Sequence, residues 1–314
     1  MKVKFWGVRG SVPTPLTPPQ IQSKIAAVVE RITPEDLASE ESREAFLAKL
    51  PEYILSTVGG NTTCIEVRLS DDTLVIIDCG TGIRELANSL TRRNEHIRHY
   101  HIFFTHFHWD HLQGLPFFAP QAYHPDCSIT FYSPKADFET WVRAQMRHPY
   151  FPVTMEVMNA KIRFVVLGDE PVDLGRGRIQ WRRVKHPGEC YSYRISENGK
   201  SMIFSTDTEL TEEDFAKDVG NREFYQNTNA LILDSQYTLD EAIEKYDWGH
   251  TSYSLAVDFA AEWGIEQLFL FHHEPLYDDK KIYSILKSAG WYLRHLERRG
   301  LKIQLAKENM EFYL

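Results

Sequence analysis

The segment His101-Ile102-Phe103-Phe104-Thr105 runs straight into His106-Phe107-His108-Trp109-Asp110-His111, which places three imidazoles and a carboxylate within six residues. An ordinary strand end has no use for so many ligand groups. A tight loop after a strand can aim them at one point, and imidazole nitrogen with carboxylate oxygen is the donor set of hydrolytic zinc and manganese centres. The plain alternative is a solvated, histidine-rich loop. Against it stand further His and Asp residues at the ends of other strand-like runs in a chain that holds 13 histidines.

Positioning such a loop takes a layered scaffold. Short β-rich runs alternate with helical patterns, which predicts an α/β fold. The expected strands are Lys2-Phe5, Cys64-Leu69, Thr73-Ile77, Ile102-Thr105, Ile162-Val166, Ile179-Val184, Tyr191-Ile195, Met202-Ser205, Ala230-Leu233 and Gln267-Phe271. The second and third read as a hairpin across Ser70-Asp71-Asp72. Helical spacing of Ile21, Ile25, Val28 and Ile32 after Thr17-Pro18 predicts one helix. Thr33-Pro34-Glu35 is expected to start a second, carrying Leu37, Phe46, Leu47 and Leu50. Together these form a helical insertion at about 16–56 in one hydrolase-like domain spanning 1–314. Two later helices, Tyr253-Trp263 and Asp279-Arg299, should close at Gly264 and Gly300, each followed by a strand-like run.

The pattern His-x-His-x-Asp-His resembles the signature of the metallo-β-lactamase superfamily, whose fold is an αββα sandwich of two mixed sheets with helices outside. The resemblance implies a role for residues elsewhere in the chain. Asp78, before Gly80-Thr81-Gly82, corresponds to an early aspartate that supports the histidine loop through hydrogen bonds. His186 is similar to a later ligand, Asp207 to a carboxylate bridging two metals, and His272 to the last ligand, with His273 as its competitor. On this reading His106, His108 and His186 hold one ion, Asp110, His111 and His272 the other, and Asp207 both. Two divalent ions roughly 3.5 to 4 Å apart can share a bridging hydroxide and polarise the group it attacks. Zinc is the expected metal; manganese and iron accept the same donors.

Other segments resemble the branch of that superfamily containing ribonuclease Z and small-molecule phosphodiesterases. They are the opening Phe5-Trp6-Gly7-Val8-Arg9-Gly10-Ser11, the entry Gly59-Gly60-Asn61-Thr62-Thr63-Cys64, and Tyr191-Ser192-Tyr193-Arg194, where the branch usually has glycine at the position of Ser192. His250 in Gly249-His250-Thr251 is similar to the branch's His-x-Thr element, whose histidine assists the leaving group, and imidazole suits that task because its pKa lies near working pH. Asp234 would orient it. Asp110, His250 and Asp234 are therefore the expected catalytic residues. The bland reading of the 250 segment is a helix cap at Thr251 or Ser252. Arg9 and Asn61 offer donors for a phosphate, although structural roles in their loops serve equally well. Trp109 can wall the cleft against a ring; Phe117 and Phe118 read as core.

Bulk properties narrow the substrate. A net charge of −9 gives no broad electrostatic grip on nucleic acid. No basic, Gly/Pro-rich arm like that of ribonuclease Z is visible, so a small or cyclic nucleotide-like phosphodiester is the expected substrate, and RNA the less favoured one. Carbonyl (lactam or thioester) hydrolysis and a non-enzymatic di-iron redox sensor are alternatives on the same fold; in the redox relatives glutamate replaces the imidazole that His108 supplies here. Four cysteines without CxxC spacing exclude a zinc ribbon. Without a signal-like or membrane-spanning apolar run, the cytoplasm is the expected compartment. A homodimer is the expected assembly.

Overall fold

Near-continuous apolar runs such as Leu74–Ile77 and 230–233 let both faces of two sheets be buried. The computed structural model describes residues 1–296 and 300–314. One sheet is built from β1 (Lys2–Gly7), β2 (Cys64–Arg68), β3 (Leu74–Ile77), β4 (His99–Phe103), β5 (Ser128–Ser133) and β6 (Lys161–Val166). The other contains β7 (Val172–Leu174), β8 (Gly177–Val184), β9 (Cys190–Glu197), β10 (Lys200–Ser205), β11 (Ala230–Asp234), β12 (Gln267–Phe271) and β13 (Lys302–Leu305). The short β14 (Glu311–Tyr313) returns to pair with β1, so the orders are β14-β1-β2-β3-β4-β5-β6 and β13-β12-β11-β10-β9-β8-β7.

Period-two alternation explains the layers. Val75 and Ile77 of β3 face Phe204, Ile232 and Phe269 across the sandwich, whereas Leu74 and Ile76 point outward with Ile102 and Phe131. That outer face is covered by a helix at Gly82–Arg92, whose Ile83, Leu86, Ala87 and Leu90 recur at i, i+3, i+4 and i+7. On the far side, Leu231, Leu233, Leu268 and Leu270 are covered by helices Tyr253–Glu262 and Asp279–His295. The architecture is the αββα sandwich.

Several boundaries differ from the sequence reading. The hairpin forms as expected, with Ile65 opposite Ile77. The strand before the histidine loop spans His99–Phe103, earlier than Ile102-Thr105, because the Thr105 N–H donates to the Asp78 carboxylate at 2.8 Å instead of extending the ladder. Thr33 with Asp36 opens only a 3-10 turn, Glu35–Leu37; the second insertion helix begins at Glu40, where Ser39 Oγ accepts from Ser42 N–H. The last long helix runs to His295, so the tail of the expected Asp279-Arg299 lies partly outside the described residues. The sequence reading missed β5, β7 and β14 and, among the helices, Gly82–Arg92, Phe138–Ala144, Val219–Tyr225 and Leu239–Glu244.

The insertion helices Pro18–Val29, Glu40–Lys49 and Glu52–Leu55 share a small core of Phe46, Leu50 and Ile54. They dock on the start of helix Asp279–His295: Lys24 Nζ lies 2.7 Å from Asp279 Oδ2, and Tyr283 OH donates to Glu52 at 2.6 Å. No described helix is long and apolar enough to cross a membrane.

Candidate metal centre

Asp78 and Asp234 end parallel strands, and the histidine loop, His186, Asp207 and His272 follow the carboxyl ends of β4, β8, β10 and β12. Loops from both sheets therefore meet along one edge of the sandwich, where strand ends in α/β folds place ligands. Asp78, Asp207 and His272 all adopt left-handed backbone with φ of +63°, +51° and +62°. Each turns its side chain sharply off its strand, a conformation tolerated only where the surroundings fix it.

The polar atoms fall into two sets. In the first, His106 Nε2 and His108 Nδ1 are 2.9 Å apart, His108 Nδ1 and His186 Nε2 3.2 Å, and Asp207 Oδ1 lies 3.6 Å from His186 Nε2 and 3.8 Å from His106 Nε2. In the second, His111 Nε2 is 3.2 Å from both Asp110 Oδ2 and Asp207 Oδ2, and His272 Nε2 is 3.5 and 3.2 Å from the same two oxygens. Asp207 thus turns one oxygen to each set. A four-coordinate ion with bonds of about 2.1 Å separates its ligands by roughly 3.4 Å, and these spacings bracket that value.

The remaining ring nitrogens hold the imidazoles in place. His111 Nδ1 pairs with Asp78 Oδ2 at 2.8 Å, His272 Nδ1 with Gln236 Oε1 at 3.1 Å, and His186 Nδ1 with the Gly249 carbonyl at 3.0 Å. Thr105 Oγ1 donates to Asp78 at 2.7 Å and so can accept from His106 Nδ1 at 3.1 Å. With those protons committed, the Nε2 lone pairs of His106, His111, His186 and His272 are left to face the two sets. His111 Nε2 and His272 Nε2 are buried without any hydrogen-bond partner. Orphaned acceptors of this kind in a protein interior call for an ion or a donor.

Electrostatics agree. Burial drives the His106, His108 and His186 pKa values down, so these rings are neutral and ligand-competent at neutral pH. Burial also opposes charge on His111, yet Asp110, Asp207 and Asp78 outweigh it and raise its pKa well above the usual imidazole value. Three buried carboxylates around one ring are a demand for positive charge that a divalent cation satisfies.

Residues 73–273, well over half of the chain, match the profile described as a beta-lactamase superfamily domain. The chain belongs to the beta-lactamase superfamily. Within it, Ribonuclease BN of Salmonella paratyphi C (strain RKS4594) is 31% identical over 149 residues, 45% of each chain. Ribonuclease Z of Prochlorococcus marinus (strain NATL1A) is 26% identical over 259 residues, covering 65% of this chain and 79% of that one. The chain spans about half the length of the first two curated relatives, at 45% and 50%. A solved diphosphatase from the PhnP family superposes with a TM-score of 0.63 at 17% identity over 100% of this chain and 97% of that one, a likeness of fold. Membership makes this a metallo-β-lactamase-fold protein of a hydrolase family, and divalent metal binding goes with the fold.

Around the superfamily centre, His250 Nδ1 pairs with Asp234 Oδ2 at 2.8 Å, and its ring stacks on His272 with centroids 5.0 Å apart. Burial opposes protonation of His250, but Asp234, helped by Asp207 and Asp110, holds the pKa up to about 9. Asp234 also accepts from the N–H groups of Asp207, Gln236 and Thr251 at 3.1, 3.2 and 3.1 Å. The helix-capping duty falls on Ser252, which accepts from Leu255 N–H. His273 turns away from both sets and pairs with the Ala306 carbonyl at 2.9 Å.

Two expected substrate contacts are corrected. Arg9 is buried, and its guanidinium donates to the carbonyls of Gly59, Glu274 and Tyr277 at 2.9, 3.2 and 2.9 Å, which ties three loops together and keeps it out of the cleft. Asn61 Nδ2 donates to Glu308 at 3.0 Å. The glycine-rich loop instead contributes Ser11 N–H, 2.8 Å from Asp110 Oδ2, and Gly10, where a Cβ would lie 2.6 Å from the His272 ring. Sequence reasoning also missed Gln236; a polar Asp234-Ser235-Gln236 run closing an apolar strand was its signal.

Proposed function

We propose that the protein is a dinuclear metal-dependent phosphodiesterase for a small, nucleotide-like substrate. His106, His108, His186 and Asp207 would hold one ion, Asp110, His111, His272 and Asp207 the other, with zinc the first choice and manganese or iron able to occupy the same donors. When bound, such a pair supplies Lewis acidity toward a phosphoryl oxygen and makes water acidic enough to act as a nucleophile. The observation that carries the reading is the His250–Asp234 pair beside the two ligand sets. Asp234 accepts the Nδ1 proton, which turns His250 Nε2 into the proton donor for a departing alkoxide. The Asp234 carboxylate, 2.8 Å from Nδ1, favours the protonated ring. Carbonyl hydrolysis gains no specific support from this pair.

The test is turnover of bis-p-nitrophenyl phosphate and of 2′,3′- and 3′,5′-cyclic nucleotides by protein loaded separately with zinc and manganese. His108→Ala should lower turnover by more than about 100-fold, the upper range for losing a residue that merely supports a ligand. His250→Ala should cost about 100-fold or more on the cyclic nucleotides, whose alkoxides need a proton, and far less on p-nitrophenolate. Absence of cleavage with either metal bound sinks the proposal.

A second reading, RNA processing, is favoured by the relatives named ribonuclease Z and BN. Its support ends at the cleft, which no Lys or Arg lines among the described residues. Transfer RNA binding that weakens steeply with salt would promote it.

A further inference from the structure

The cleft in front of the two ligand sets has a volume of about 500 Å³ and is lined by Phe107, Trp109, Pro187, Trp248 and His250 together with the ligands. Phe107 is engaged elsewhere, packed on Phe104 and Trp141 at 5.5 and 5.1 Å. The two tryptophans are not buried by such packing; Lys245 Nζ lies 5.8 Å from the centroid of the Trp248 ring. Trp109 is 85% exposed and Trp248 61% exposed, and Trp109 makes no side-chain hydrogen bond, ring or cation contact among the described residues. An indole normally hides most of its surface in a core or an interface, because leaving it in water forgoes a large hydrophobic gain. Two of the chain's seven tryptophans stand in water at one cleft, carried by two separate segments. Each is tied to the reaction centre: Trp109 lies between His108 and Asp110, and Trp248 precedes Gly249, whose carbonyl receives His186 Nδ1 at 3.0 Å.

Charge points the same way. The nearest basic side chain in sequence, Lys185, lies 2.6 Å from both Glu209 and Asp247. Lys245, beside Trp248, is 4.0 Å from Glu274, so both ammonium groups beside the cleft already face carboxylates, and the affinity that orients the rest of the molecule comes chiefly from apolar, planar contact. We infer that Trp109 and Trp248 form a stacking subsite for one planar ring, a nucleobase, in a substrate that carries a single phosphodiester. The inference rests on the proposed phosphodiesterase for what reacts there; ring binding itself does not depend on turnover.

The probes are adenosine 5′-monophosphate and ribose 5-phosphate, which share the phosphate and sugar and differ in the base, titrated into zinc-loaded protein by calorimetry and by quenching of indole fluorescence. The nucleotide should bind at least about 10-fold more tightly, and Trp109→Ala and Trp248→Ala should each weaken it by about 5- to 100-fold while leaving ribose 5-phosphate unchanged. The phenylalanine variants should restore most of the loss, since any aromatic face stacks. In turnover, the alanine variants should raise KM for cyclic nucleotides and leave kcat nearly unchanged, because stacking is made equally in ground and transition states. Both positions are exposed, so unchanged melting and zinc content will show that the fold survives. Equal affinity for the two probes, or undiminished nucleotide binding in both alanine variants, overturns the subsite even if the protein cleaves phosphodiesters. Base-dependent binding without any cleavage supports it and overturns the phosphodiesterase instead.

Discussion

Gln236 shows how much of the centre depends on a residue that faces away from it. Its Oε1 lies 3.1 Å from His272 Nδ1, and its Nε2 donates to Glu274 Oε2 at 2.6 Å, so the amide is fixed at both ends. Gln236→Leu removes the acceptor and frees the ring to rotate or change tautomer. Zinc affinity, measured by competition with a chromophoric chelator, should fall 10- to 100-fold, and an unchanged affinity would remove Gln236 from the site. The neighbouring His273 makes a separate prediction about stability. Burial drives its pKa down to about 3, against the hydrogen bond to Ala306. It stays neutral in the folded chain while the unfolded chain takes up a proton below about 6.5. Stability due to this group is thus fully present above pH 6.5 and lost as pH falls toward 3, at up to ~1.4 kcal/mol per unit. Urea unfolding at pH 7 and pH 5 should show the wild type losing about 2 kcal/mol more than His273→Gln over that interval; equal losses would mean that the ring is charged in the fold.

At the scale of elements, the loop before helix Tyr253–Glu262 serves two masters. Gly249 has φ +87°, and a Cβ there would lie 2.2 Å from His186 Nδ1. Gly249→Ala should therefore push His186 off its position as well as strain the turn. Gly199, with φ +75° and nothing within 4 Å of a Cβ, is the control for strain alone. Both alanine variants should lose roughly 1 kcal/mol or more of stability, but only Gly249→Ala should lose zinc, as read by stoichiometry on the purified proteins. Zinc content equal to that of the wild type in both would show that the loop accommodates the methyl group without disturbing the ring. The element scale also explains what the sequence hid. Strands β7 and β14 span three residues each, too short for a periodic pattern, and exist because a neighbouring strand offers unpaired backbone. The Gly82–Arg92 helix carries a clear apolar stripe, but it opens directly on the turn-like Gly80-Thr81-Gly82 with no Ser, Asp or Asn cap to mark its start.

For the whole molecule, the sandwich was legible because most central strands are short apolar, β-branched or aromatic runs bounded by turn residues and because the centre's first ligand candidates are contiguous. His106, His108, Asp110 and His111 can be read from one stretch of chain. Arg9 and Asn61 could not be placed, since a donor at a loop looks the same whether it meets a substrate or, as here, backbone carbonyls and Glu308. Likewise His272 and His273 are indistinguishable as letters; the left-handed turn at His272 separates them by sending one ring inward and the other toward Ala306. Distant partners such as Gln236 and His272, 36 positions apart, leave no local trace.

The distribution of candidate ligands between the layers has a consequence for biogenesis. The 106–111 loop follows a strand of the first sheet, while His186, Asp207 and His272 follow strands of the second. Neither half owns a complete coordination sphere. A chain with only the first sheet built would carry just part of the candidate ligand set, and the full set comes together only where the two layers pack. Metal uptake at such a divided set would therefore depend on tertiary docking, and an ion retained there would report that the two halves had met in register.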